Sequence, residues 1–214
     1  MAEIKQASLA DLDSLARCHR KAFPNALSSA MGTRYVKKML EWYIVDPRAF
    51  MFFVAEGEKC VGYCGGLIFD GTTRFGSASS MIQHSFNLAV KTFLLRPWLF
   101  FHREFIPKYG LAWRNIRKRL VGNRRPPGAR DDALPEPHAG LIVIGVDPDY
   151  QGKGYGSLLL KEFERQAREA GFSKLHLTVR SDNHRAISTY QRNGWSVTES
   201  NQKSTSMVKQ LPRI

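Results

Sequence analysis

The chain has 214 residues, 43% of them hydrophobic and 24% charged, with a formal net charge of +13 at pH 7. These proportions suit one globular α/β domain over 1–214 and exclude disordered and collagen-like classes. The polar start MAEIKQASLADLDS lacks the basic and apolar regions of a secretory signal, and Leu88 to Phe101 is broken by Lys91 and Arg96 short of the roughly 20 apolar residues a spanning helix needs, so a cytoplasmic protein is expected.

In chain order, Glu3 to Ala7 reads as a strand, and Ser8 as the N-cap of a helix whose apolar residues Leu9, Leu12, Leu15 and Ala16 recur at helical spacing up to the break at Pro24 and Asn25. A second helix is predicted from Thr33 to Val45, stopped by Asp46-Pro47. Phe50 to Ala55 and Cys60 to Phe69 form a hairpin about Gly57. Three thiols, Cys18, Cys60 and Cys64, are expected to be reduced and structural. No metal is expected, because Cys60 and Cys64 have no partners to complete a ligand set.

Between the hairpin and Pro137 the texture changes. Helical periodicity runs over Ser80 to Leu95 and Trp98 to Leu120, and Gly122 to Pro137 reads as a flexible connection, so 71–137 is taken as an insertion within the domain. Residues 71–130 hold twelve Lys and Arg against one acid, Glu104, which places most of the net charge there. His138 to Val146 then reads as a strand, a helix starts at about Tyr155 and is capped by Gly171, and Leu175, Leu177 and Val179 alternate as a further strand. Asn183 to Arg192 reads as a short helix, with Trp195 to Thr198 and Ser204 to Val208 as closing strands. A mixed sheet with flanking helices follows.

The chemistry concentrates at Gln151-Gly152-Lys153-Gly154-Tyr155-Gly156 and the adjoining Ser157. A glycine loop that enters a helix presents unpaired N–H groups and partial positive charge, the requirement for holding a phosphate or pyrophosphate. The alternative without a ligand is a bare glycine-rich turn. A nucleotide P-loop is excluded because no Gly-x4-Gly-Lys-Ser/Thr occurs, and a dinucleotide fingerprint would want glycine at 157, where Ser stands.

The loop resembles the Gln/Arg-x-x-Gly-x-Gly/Ala pyrophosphate loop of the GNAT acetyltransferases. Val179 to Trp195, VRSDNHRAISTYQRNGW, resembles that family's downstream signature Val-x-x-x-Asn-x-x-Ala-x-x-x-Tyr-x-x-x-Gly-Phe, with Trp in place of Phe. The resemblance covers about 138–210 by motif and 2–70 by element order. It implies the acyl-coenzyme A N-acyltransferase fold, a mixed, mostly antiparallel sheet flanked by helices, here with a basic helical insertion. It further implies acetyl-coenzyme A as acyl donor and direct attack by a primary amine in a ternary complex.

By position, the resemblance assigns Ile144, Gly145 and Val146 to the splayed strand whose backbone binds pantetheine and polarises the thioester carbonyl. Asn183 would contact the pantetheine arm and Tyr190 would donate a proton to the departing thiolate. Their seven-residue spacing puts both on one helix face. On the residues alone, Tyr190 reads equally as a core aromatic and Asn183 as an N-cap. Where histone-type relatives carry a catalytic glutamate this chain has Gly140, so no base stands there. Glu136, His138, His84 and His102 are the remaining candidates, and none matches a family motif.

The acceptor is expected to be a small-molecule amine between the Phe23 to Gly32 connection and the last strands. The cations of the insertion interleave with Phe93, Trp98, Phe100, Phe101, Phe105, Tyr109 and Trp113, which suits an anionic acceptor such as a nucleotide-linked sugar, or peripheral contact with a lipid surface. Nucleic acid ranks lower, since no recognition motif accompanies the charge. The competing reading is a non-catalytic module that binds coenzyme A or an anionic partner through the insertion.

Overall fold

The computed structural model describes residues 2–71, 77–106, 110, 113 and 136–212. Seven strands, β1 (Ala2–Gln6), β2 (Ala49–Glu56), β3 (Lys59–Phe69), β4 (His138–Val146), β5 (Lys174–Arg180), β6 (Ser196–Ser200) and β7 (Ser204–Gln210), form one sheet in the order β1-β2-β3-β4-β5-β7-β6. Every neighbouring pair is antiparallel except β4 with β5. The helices are α1 (Leu12–Ala22), α2 (Leu27–Met31), α3 (Thr33–Val45), α4 (Ser77–Leu95), α5 (Tyr155–Glu169) and α6 (His184–Arg192).

Strand β2 is buried on both faces, so its two sets of alternating side chains enter different cores. Met51, Phe53 and Ala55 pack with Leu12, Leu15, Val36 and Leu40 of α1 and α3. Phe52 and Val54 pack with Leu159 and Phe163 of α5 and with Leu177, Tyr190 and Trp195. Strand β3 has glycine where helix side chains cross it. A Cβ at Gly66 would collide with Phe50 and come within 2.8 Å of Phe163.

Two expectations fail between elements. The connection from Phe23 to Gly32 contains α2, a helix of five residues that is too short to show a period. The helix predicted from Trp98 does not begin there: Pro97–Phe101 is a 3-10 turn, and Phe93, Phe100 and Phe105 gather with ring centroids 4.5 to 5.8 Å apart. Bringing Phe100 and Phe105 back onto α4 requires the chain to turn where a helix would carry it onward. Beyond that turn, 102–105 is not helical and Gly110 and Trp113 are, while the other residues of the predicted helix and most of the Gly122 to Pro137 connection lie outside the described residues. No helix among the described residues is long and apolar enough to cross a membrane.

A polar chain crosses the α1 side of the core. His19 is 5% exposed; its Nδ1 lies 2.5 Å from the Tyr63 hydroxyl and its Nε2 2.8 Å from Ser28 Oγ. A neutral imidazole donates through one nitrogen and accepts through the other, so both contacts are satisfied without charge. Burial pushes the His19 pKa from 6.5 to about 4.

Two outcomes follow from this packing. Gly66→Ala should lower stability by about 1 to 3 kcal/mol through overpacking, read as a shift of the urea midpoint with unchanged slope. Between pH 6.5 and about 4 the unfolded chain binds a proton at residue 19 that the folded chain does not. Stability contributed by the neutral ring is therefore complete above pH 6.5 and falls as pH drops, by up to about 3 kcal/mol. Urea unfolding at pH 7 and pH 4.5 should show a larger loss in the wild type than in His19→Asn, and equal losses would contradict it.

Candidate active site

Strand β4 pairs in parallel with β5 only through Ala139, Gly140 and Leu141. Beyond Leu141, β5 stays with β7 as far as Arg180 while β4 continues along β3 to Val146, so the two strands part. The Asp147 N–H donates to the Val61 carbonyl, 2.9 Å. Antiparallel alternation then directs the Val146 and Ile144 N–H groups away from β3, toward the opening, and turns that of Gly145 onto β3. The Val146 carbonyl, on the same open edge, accepts from Gln151 Nε2 at 3.1 Å.

The turn after β4 is pinned electrostatically. Asp147 has a buried side chain; its Oδ1 accepts the Asp149 N–H at 3.1 Å, and its Oδ2 lies 3.3 Å from Lys21 Nζ and 3.6 Å from Lys59 Nζ. This ties the turn to α1 and β3 just before the glycine loop. Gly152 and Gly154 have φ of +84° and +85°, conformations that L side chains rarely adopt. Gly154 is the N-cap of α5 and supplies no capping side chain. Leu158 N–H is the first to pair back, with the Gly154 carbonyl at 3.0 Å, so the N–H groups of Tyr155, Gly156 and Ser157 have no partner within the helix. A Cβ at Gly152, Gly154 or Gly156 would meet nothing within 4 Å, so each of these glycines has open space on its side-chain side.

These pieces enclose a cavity of about 420 Å³ between the parted strands. It is lined by Ile144, Gly145, Val146, Gln151, Gly152, Gly154, Tyr155, Gly156, Ser157, Asn183 and Tyr190. Of the residues the motifs single out, Lys153 is not among its lining: its Nζ lies 4.6 Å from the centroid of the Tyr150 ring. Asn183 Oδ1 caps α6 by accepting the Ala186 N–H at 3.2 Å, so the residue serves as N-cap and lines the cavity as well. Tyr190 is 7% exposed, stacks obliquely on Trp195, and has its pKa raised by burial and then by Cys64.

The motifs do not point to several other lining residues. Ala22 and Phe23 close the end of the cavity beside Gly145, where a Cβ would come within 2.7 Å of the Phe23 ring and 3.2 Å of Ala22 Cβ. They come from α1, more than a hundred residues away in the chain, and no local pattern could reveal them. Arg185 and Arg192 bring positive charge to the rim. Arg185 Nη1 donates to Gln151 Oε1 at 2.6 Å, joining α6 to the glycine loop; its signal was a cation in the first turn of the helix that Asn183 caps.

The candidate bases lie elsewhere. Glu136 pairs with Lys174, and His138 stacks on Phe69 with centroids 4.5 Å apart. His84 lies 3.4 Å from Glu41, and His102 Nδ1 accepts the Glu104 N–H at 3.3 Å. Among the described residues none of the four lines the cavity, nor does any carboxylate. Cys18, Cys60 and Cys64 are buried and unpaired, and no cluster of potential metal ligands occurs among the described residues.

Comparison with known proteins bears on this arrangement. The family model described as Acetyltransferase (GNAT) family matches residues 119–195. A mycothiol acetyltransferase of Propionibacterium freudenreichii is 37% identical over 93 residues, which are 44% of this chain and 29% of that protein. An acetyltransferase of Yersinia pestis is 37% identical over 49 residues, 23% of this chain and 35% of its own. The chain thus spans about a third or less of the length of these relatives. In structure it resembles the PaiA N-acetyltransferase of Thermoplasma acidophilum in complex with coenzyme A, with a TM-score of 0.58 and 14% identity over 98% of this chain and 99% of that one. An acetyltransferase from Thermus thermophilus aligns with a TM-score of 0.57 and 17% identity over 99% and 97%. The family match on residues 119–195 takes in the parted strand β4 and the glycine loop at the start of α5, so this stretch resembles the GNAT acetyltransferase family, and the chain shares its fold with these acetyltransferase structures.

Proposed function

We propose that the chain is an N-acetyltransferase that moves an acetyl group from acetyl-coenzyme A to a primary amine of a small molecule. The observation that carries this reading is the coincidence, in one cavity, of a backbone edge without a strand partner and an uncapped helix start whose three glycines leave room for a ligand. When bound, acetyl-coenzyme A supplies the thioester that a neutral amine attacks directly, and its thiol is the leaving group.

The N–H groups at the start of α5, with Gly152 and Gly154 held in left-handed conformation, would hold the pyrophosphate. Arg185 and Arg192 at the rim add charge of the right sign. The open-edge groups of Ile144 and Val146 would pair with the amides of the pantetheine arm. An N–H on that edge, aimed where negative charge develops on the acyl oxygen, supplies about 3 kcal/mol in comparable acyl transfers. Tyr190, like any tyrosine, carries its proton at neutral pH, the more so because burial raises its pKa, and would give that proton to the departing sulfur.

The acceptor enters beside Ala22 and Phe23. There the segment between β3 and β4, read as an insertion in a single domain, reaches the connection after α1: Glu104 Oε2 accepts the Leu27 N–H at 2.9 Å. The mycothiol acetyltransferase relatives support a small-molecule amine as acceptor. The cations around the cavity favour one that carries negative charge elsewhere.

Calorimetric titration of acetyl-coenzyme A should give micromolar affinity in the wild type and none in Gly154→Trp, which both strains φ of +85° and fills the loop. No binding in the wild type would leave a scaffold that acts through its basic segment. With an acceptor in hand, Tyr190→Phe should lower kcat by about 10 to 1000-fold at unchanged cofactor affinity; an unchanged kcat would remove Tyr190 from the mechanism.

A further inference from the structure

A second pocket, of about 540 Å³, lies at the entrance to α3 and shares no lining residue with the cavity between the strands. Arg20 of α1 and Arg96, which follows α4, face it together with Ser29, Gly32 and Thr33, and no carboxylate lines it among the described residues. Both guanidinium groups are fixed by neutral acceptors. Arg20 Nη1 donates to Thr33 Oγ1 at 2.8 Å, and Arg96 Nη1 donates to the Ala30 carbonyl at 3.1 Å. Each side chain is therefore oriented while, among the described residues, its charge and most of its five donors remain available.

The start of α3 adds to this. Gly32 is its N-cap, with φ of +96° and no side chain to cap the helix. The Val36 N–H is the first to pair, with the Gly32 carbonyl at 3.1 Å. The N–H groups of Thr33, Arg34 and Tyr35 thus have no partner within a helix of 13 residues, and they carry its positive end. A Cβ at Gly32 would sit 3.4 Å from Arg96 Nη1, so any side chain there would press on that guanidinium.

Ser29 supplies an independent sign of a missing partner. It lines the pocket, is 7% exposed, and its Oγ has no hydrogen-bond partner among the described residues. Proteins seldom leave a buried hydroxyl unpaired, because its desolvation is then uncompensated.

We infer that this pocket binds a small tetrahedral oxyanion of the phosphate class, clasped by Arg20, Arg96, the Ser29 hydroxyl and the N–H groups opening α3. The same chemistry is offered by free phosphate and by a phosphate ester on a larger molecule. The site is separate from the glycine loop and does not depend on acetyl transfer.

The test is calorimetric titration of inorganic phosphate into the full chain in a buffer free of phosphate and sulfate. The wild type and Arg168→Gln, an exposed arginine on α5, should bind alike, and so should Gly154→Trp. Arg20→Gln and Arg96→Gln should each weaken binding about tenfold or more, and the double variant should abolish it. All these arginines are exposed, and thermal unfolding without phosphate checks that each variant is folded. Added phosphate should raise the wild-type Tm and leave that of the double variant unmoved. No binding in the wild type, binding that survives loss of both arginines, or binding lost in Gly154→Trp instead would overturn the proposal. O-phosphoethanolamine titrated in parallel separates the sources: tighter binding than phosphate marks an ester site, and equal or weaker binding marks a site for the free ion.

Discussion

After Leu141 the backbone of β4 loses its parallel partner, and a strand edge inside a protein must then find other hydrogen-bonding groups or a ligand for its amides. In this chain the separation is held open from several sides. β5 remains committed to β7 through Arg180, and β4 remains committed to β3 through Val146. Phe23 and Ala22 stand against Gly145, and Lys21 and Lys59 hold the buried Asp147 carboxylate at the end of the strand. The opening is thus a consequence of where each strand's other neighbour lies.

The helix starts sort by how they are satisfied. The first turn ahead of α1 is closed by Asp11, whose carboxylate accepts the Ser8 N–H at 2.8 Å, and α6 is capped by Asn183. By contrast, α3 and α5 begin at glycines of positive φ that bring no capping group. Both of those starts open into pockets with arginines on the rim. Capping side chains stand at the 3-10 turn ahead of α1 and at α6, whereas α3 and α5 leave their positive ends uncapped where an anion can reach them.

What could be read from the chain alone was what lies close together in it. The loop 151–157 and the run 179–195 carry their geometry in local spacing, and the cavity is lined by both. Lys153 was drawn in by its place in the loop, yet its long side chain settles over Tyr150. The hairpin and the helix over 33–45 were legible from alternation and period. The α2 helix was not, since five residues complete little more than one turn, and Pro97 ends the period that α4 establishes. Contacts such as His19 with Tyr63, 44 residues apart, or Phe23 with Gly145, follow from the order of strands in the sheet, which no local pattern records.

That cavity also bears on how an amine could lose its proton. Its charged lining among the described residues is cationic, Arg185 and Arg192, and no carboxylate or imidazole faces it. Tyr190, whose pKa burial raises further, carries its proton at neutral pH and so cannot serve as the base. In an acyl-transfer reaction the field itself then does part of the work of a base. At an effective dielectric of about 20, a unit positive charge about 10 Å away costs an ammonium group about 1.7 kcal/mol before salt screening, which lowers its pKa by roughly one unit. Under the proposed function, an amine held near two such arginines would reach its neutral, nucleophilic form at a lower pH than in water and lose its proton to solvent. The cations would then serve two purposes, since charges placed to hold phosphates at one end would also favour the neutral amine at the other.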